Sequence, residues 1–64
     1  MNSGIWRHKL CLDIDIYIHK VQYKCNDYYK VKLSIFNRRN KDIVYETKGY
    51  KIYTKDFSMW EKVA

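Results

Sequence analysis

The chain contains no proline, two glycines, one alanine and two cysteines among its 64 residues. Without proline, every residue keeps an amide donor, so no strand is barred from the interior of a sheet. With only Gly4 and Gly49, no glycine-rich loop can cradle a phosphate. No apolar stretch approaches the roughly 20 residues of a membrane span. The opening "MNSGIWRHKL" lacks the apolar centre of a signal peptide. The expected setting is the cytoplasm, with no membrane partner. There Cys11 and Cys25 are expected as free thiols, a disulfide or a shared metal being the alternatives. Linkers, repeats and low-complexity segments are missing as well, so one small domain with a thin core spans the chain.

Acidic residues are also scarce, with 7 against 13 basic ones and a net charge of +6. Lys, Ile, Tyr and Asn are abundant, and all four are encoded by A/T-rich codons. A low-GC bacterium or its phage is the plain source of such a composition. Part of the positive charge therefore reflects codon usage rather than a ligand.

Period two dominates what remains. Leu10, Leu12, Ile14, Ile16 and Ile18 fall on one face of a strand, with Cys11, Asp13, Asp15, Tyr17 and His19 on the other. Beyond Ile18 the apolar residues shift to Val21, Tyr23 and Cys25. Strict alternation cannot keep both sets inside, so a bulge belongs near His19 and Lys20. Asn26 and Asp27 supply a turn. "YKVKLSIF" then alternates again, with Tyr29, Val31, Leu33 and Ile35 inward. Odd positions must face odd positions across this hairpin, which predicts Cys25 opposite Tyr29 or Val31 and a loop of three or five residues.

"NRRNKD" reads as a basic loop, and "IVYET" and "YKIYT" as two strands joined by a tight turn. In that turn Gly49 supplies a positive φ. The closing "KDFSMWEKVA" spaces Phe57, Trp60 and Ala64 as a short helix or 3-10 turn, with Asp56 as its cap. The expected fold is mostly β. It is either a small, strongly bent, five-stranded antiparallel sheet or an SH3-like or OB-like barrel, with a short C-terminal helical turn. Sheet edges in so short a chain leave homodimer pairing open.

Asp13 and Asp15 have the spacing of paired carboxylates that hold a metal, but no companion motif accompanies them. The solvent face of a strand is the expected reading. His8, Cys11, His19 and Cys25 lack the spacing of zinc knuckles, with Cys11 and His19 far apart along one strand on its polar face. No nucleophile constellation or phosphate loop appears, so neither an enzyme nor a cofactor is expected. The informative residues are basic and aromatic. Arg38, Arg39 and Lys41 share a loop, Lys48, Lys51 and Lys55 flank the next segment, and Tyr17, Tyr28, Phe36 and Tyr53 fall on outer faces. Cations attract phosphates and exposed rings stack on bases, so the set suits DNA or RNA. The same surface suits an acidic patch on a protein. The binding set is Arg38, Arg39, Lys41, Lys48, Lys51, Tyr28, Phe36 and Tyr53.

Two end segments, "GIWRH" and "YKIYTKDFSMWEKV", resemble a family of small uncharacterised single-domain proteins of bacteria and their phages. That family has a tryptophan-arginine opening and an aromatic-Glu-Lys-Val close. The resemblance implies an SH3-like barrel and a phage or mobile-element setting, hence a host cytoplasm. The family carries no assigned activity or site residues; analogy with small phage proteins at large points to a non-enzymatic accessory protein that docks on a host protein and inhibits or redirects it.

Overall fold

The structure, a computed structural model, describes residues 1–64. Five strands form one antiparallel sheet: β1 (Gly4–His8), β2 (Ile14–Lys24), β3 (Tyr28–Asn37), β4 (Ile43–Tyr53) and β5 (Trp60–Lys62). A 3-10 turn, η1, spans Thr54–Met59 between β4 and β5. The strand order is β4-β3-β2-β1-β5, so β4 and β5 are the two edges and the sheet is open.

Alternation sets the inner face. Ile16, Ile18, Val31, Leu33 and Ile52 are buried, and Met1, Trp6, Val21, Tyr29, Ile35, Phe57 and Trp60 pack against them. Ile18 pairs with Leu33 and Val21 with Val31, so each buried side chain meets its counterpart across the ladder. The expected bulge is present, as a register shift between Ile18 and Lys20 that leaves His19 outside the regular pairing. A second shift follows between Val21 and Tyr23. It brings Lys24, rather than Cys25, opposite Tyr29. Cys25 instead closes the loop by donating its amide to the Tyr28 carbonyl at 3.0 Å.

Four other expectations are corrected. The residues Leu10 and Leu12 are not in β2, which starts at Ile14; they stand 76% and 71% exposed in the β1–β2 loop. The loop is fixed by His8, whose Nδ1 accepts the amides of Leu10 and Cys11 at 3.2 and 3.0 Å. Asp15 is not on a wet face but 1% exposed, for reasons given below. "IVYET" and "YKIYT" are one strand, since Lys48 and Gly49 form a bulge rather than a turn. Gly49 accordingly has no positive φ, whereas Gly4, at +135°, does. The helical reading of the C-terminus holds only through Met59. Trp60–Lys62 then extends to pair with β1, and Asp56 makes no cap hydrogen bond.

Candidate functional site

The outer face of β2, β3 and β4 is where the charge collects. Lys20 lies directly opposite Lys32, and Lys30 directly opposite Lys51. Residues two apart on a strand share a face, and paired residues do so too. These four lysines therefore stand together on the side opposite Val31 and Leu33. Like charges facing one another across a ladder are destabilising. No carboxylate relieves them, because all three ion pairs of the protein use arginine: Arg7 and Arg38 with Asp15, and Arg39 with Asp13. None of the ten lysines is in an ion pair.

Local contacts tie the strands of this face together. Gln22 reaches across β3 and donates its side-chain amide to the Lys48 carbonyl at 2.7 Å. Gly49 lies under the Lys30 stem, where an added Cβ would come within 2.7 Å of Lys30 Cε. The glycine thus serves the close passage of a lysine side chain, not a turn.

Aromatic rings continue the face toward the β2–β3 turn. Tyr28 pairs with Tyr53, and the ring centroids of Tyr23, Tyr28 and Tyr53 follow one another at 5.9 and 6.1 Å. Lys51 Nζ sits 4.8 Å from the Tyr28 ring centre and Lys55 Nζ 5.9 Å from that of Tyr53. Tyr17 and His19 make a second tilted contact at 4.6 Å farther along β2. Tyr17, Tyr23 and Tyr53 are exposed, so each has ring surface free for a ligand.

The structure divides the eight binding residues expected from sequence. Lys48, Lys51, Tyr28 and Tyr53 belong to this outer face, with Tyr28 half-buried. Arg38 does not: its Nε donates to Asp15 Oδ1 at 2.9 Å and its Nη2 to the Ile14 and Cys11 carbonyls at 3.2 and 3.4 Å. It is a structural clamp joining the β1–β2 and β3–β4 loops. Phe36 is half-buried and pairs with Asp15 on one side and Ile43 on the other. Arg39 and Lys41 are exposed in the β3–β4 loop, at its distant end. Sequence reading missed Lys20, Lys30 and Lys32. Their signal was the alternation of "YKVKLSIF" together with the bulge at His19, which sets Lys20 against Lys32.

No family model, curated protein or solved structure matches the chain. The geometry of the faces and ends is therefore what bears on function. No group of three His, Cys, Asp or Glu residues is placed to hold a metal ion. Asp15 is neutralised by Arg7 and Arg38, while Asp13 meets only Arg39, at 3.7 Å. His8 is committed to its own loop and stacks edge-on against Trp60 at 4.8 Å. Cys11 and Cys25 are free thiols.

Two further features complete the survey. An apolar cavity of about 340 Å³ lies between the inner face and the η1–β5 segment, walled chiefly by Ile14, Ile35, Tyr50, Met59 and Trp60. Leu10, Leu12, Ile43, Val44 and Tyr45 are all exposed, at the end of the sheet where Arg38 ties the two loops together.

Proposed function

We propose that the chain is a small, non-enzymatic, single-stranded nucleic-acid-binding module that needs no cofactor. Its fold is read as an SH3-like barrel left open along the seam between β4 and β5, with η1 before the last strand. The observation that carries the function is the two pairs of facing lysines, Lys20–Lys32 and Lys30–Lys51, without a carboxylate partner and beside a row of tyrosines. An ordered polyanion relieves that repulsion, and exposed tyrosines offer flat apolar surface to unstacked bases. Bases in a duplex are already stacked and present only their edges, so rings of this kind favour single strands.

Binding of labelled single-stranded DNA and RNA, followed by fluorescence anisotropy across a salt series, tests this. Four lysine–phosphate contacts predict a log–log salt slope of about −3, and Lys30→Ser with Lys51→Ser shallows it by about 1.4. Tyr53→Ala costs about 1–3 kcal/mol of binding. Absent binding at low salt, or binding indifferent to Lys30 and Lys51, removes the proposal.

A second reading has its own observation. Leu10 and Leu12 in the β1–β2 loop and Ile43, Val44 and Tyr45 at the start of β4 are all exposed, with the basic Arg39 and Lys41 nearby in the chain, and apolar groups beside basic ones fit an acidic host protein. On this reading the chain is a phage-type accessory protein that inhibits or redirects its target. A nuclease-treated host lysate should yield one dominant partner, lost with Leu10→Ser and Leu12→Ser. Retention of nothing after nuclease counts against it.

A further inference from the structure

A depression of about 380 Å³ lies on the outer face, lined by Leu33 and by the polar residues His19, Lys32, Ser34, Glu46, Thr47 and Lys48. We infer that it seats a single phosphate group, and this deepens the nucleic-acid reading, on which it rests. Two irregularities of the sheet flank the hollow. The shift between Ile18 and Lys20 frees His19 from the ladder on one side, and its Nε2 lies 2.7 Å from the Ser34 hydroxyl. The β4 shift between Thr47 and Tyr50 lies on the other side, its backbone held by the Gly49 amide donating to Thr47 Oγ1 at 3.2 Å. Gln22 secures the Lys48 carbonyl, so the backbone that carries this lysine is fixed while its ammonium is free.

The chemistry of the lining is that of a tetrahedral anion site. Lys32 and Lys48 supply two charges with three donors each, and the His19–Ser34 pair, hydrogen-bonded to each other, adds polar groups to the wall beside them. Lys20 is the cross-strand partner of Lys32, so a third lysine stands beside the hollow. Glu46 is the discordant member. It pairs with Ser34 across the ladder but joins no ion pair, despite two lysines in the same hollow. A phosphate in the seat would be repelled by it. The seat therefore saturates with a free ion only at high phosphate, and fills more readily with a phosphate already delivered by a chain held on the tyrosines and on Lys30 and Lys51.

The experiment is an amide NMR titration of the whole protein with inorganic phosphate, then with a short single-stranded oligonucleotide. Saturable phosphate shifts at residues 19, 32, 34 and 46–48, with Tyr28 and Tyr53 unmoved, are expected. Lys48→Met should abolish them and reduce the oligonucleotide salt slope by about 0.7, one contact's worth. Glu46→Gln should tighten inorganic phosphate by roughly fivefold, the scale of one unit charge a few ångströms away in a water-like dielectric. The spectra of both variants report directly whether the fold is retained. Non-saturating shifts spread over all lysines, or shifts unaffected by Lys48→Met, overturn the seat while oligonucleotide binding stands. Phosphate shifts as expected with no oligonucleotide binding would instead sink the nucleic-acid reading and leave the seat.

Discussion

Replacing Arg38 with Met should come close to unfolding this domain, although the residue lies in a loop-proximal, basic stretch that resembles a binding patch. Asp15 is almost wholly buried, and its carboxylate has two cationic partners. The nearer is Arg38 Nε at 2.9 Å, on a side chain only 19% exposed; the other is Arg7 Nε at 3.4 Å, on one 40% exposed. Removing one partner of a buried pair typically costs about 3–5 kcal/mol, because the remaining charge stays buried without compensation. Arg7 survives here, which argues for the low end, about 3 kcal/mol. The carbonyls of Cys11 and Ile14, which also accept from Arg38, border a loop that water reaches and add little. For a chain of this size 1 kcal/mol shifts Tm by roughly 4–8 °C, so a fall of about 15 °C is expected. Arg7→Met should cost about a third as much, since the bond is longer and more exposed. Thermal unfolding read by the fluorescence of Trp6 and Trp60 measures both. Asp15→Leu with Arg38→Met removes the charge and its partner together and should recover most of the loss. A drop below about 4 °C for Arg38→Met, or a loss that is the same whether residue 15 is Asp or Leu, would refute the reasoning.

The other expectations are simpler. Gly4→Ala should destabilise by about 2 kcal/mol in urea titrations, because φ is +135° and the new Cβ would meet the Ala64 carbonyl oxygen at 2.5 Å. Gly49→Ala, whose Cβ would press on the flexible end of Lys30 and only touch Gln22 Oε1 at 3.4 Å, should change stability by less than about 1 kcal/mol while weakening oligonucleotide binding. Lys30→Ser with Lys51→Ser should raise stability by some tenths of a kcal/mol in the same titrations as it loses binding, since a like-charge cross-strand pair is removed. The Met1 amino group is held below its usual 8.0, first by burial and second by Lys24. Its folded form binds a proton less readily than its unfolded form, so stability should rise slightly as pH climbs toward 8.0 and lose that step on N-terminal acetylation.

Much of the sheet was legible in the sequence because alternation is a direct imprint of burial. Ile16, Ile18, Val31 and Leu33 announce one face, and the slip after Ile18 requires the bulge at His19. Leu10 and Leu12 continue the same pattern yet stand in water, since periodicity reports compatibility with a strand and not the presence of a neighbour to pair with. Gly49 was misread for a related reason. A glycine between two alternating runs fits a hairpin turn or a bulge equally, and only the partner strand decides which. Asp15 was misread because its burial depends on Arg7, eight residues earlier, and Arg38, twenty-three residues later. No local pattern encodes an ion pair of that separation. The outer face was half legible: "KVK" places Lys30 and Lys32 together, but the cross-strand lysines that make them a site emerge only from register.

A codon-biased composition would explain the number of lysines, but not where the carboxylates are. Asp13 and Asp15 are taken by arginine, whose planar fork suits a carboxylate held from two directions. Of the five acids that remain, Asp27 lies in the β2–β3 turn, Asp42 in the β3–β4 loop, Asp56 in η1 and Glu61 in β5. Only Glu46 falls on the three strands that carry the facing lysines. A chain that merely tolerated surplus lysine would gain stability by setting Asp or Glu opposite Lys20, Lys30, Lys32 or Lys51, where cross-strand ion pairs are available at no cost in burial. The face instead keeps its repulsion, in a domain whose thin core leaves little stability to spare. On the proposed reading the face keeps that repulsion because a bound polyanion, not a neighbouring carboxylate, is what relieves it.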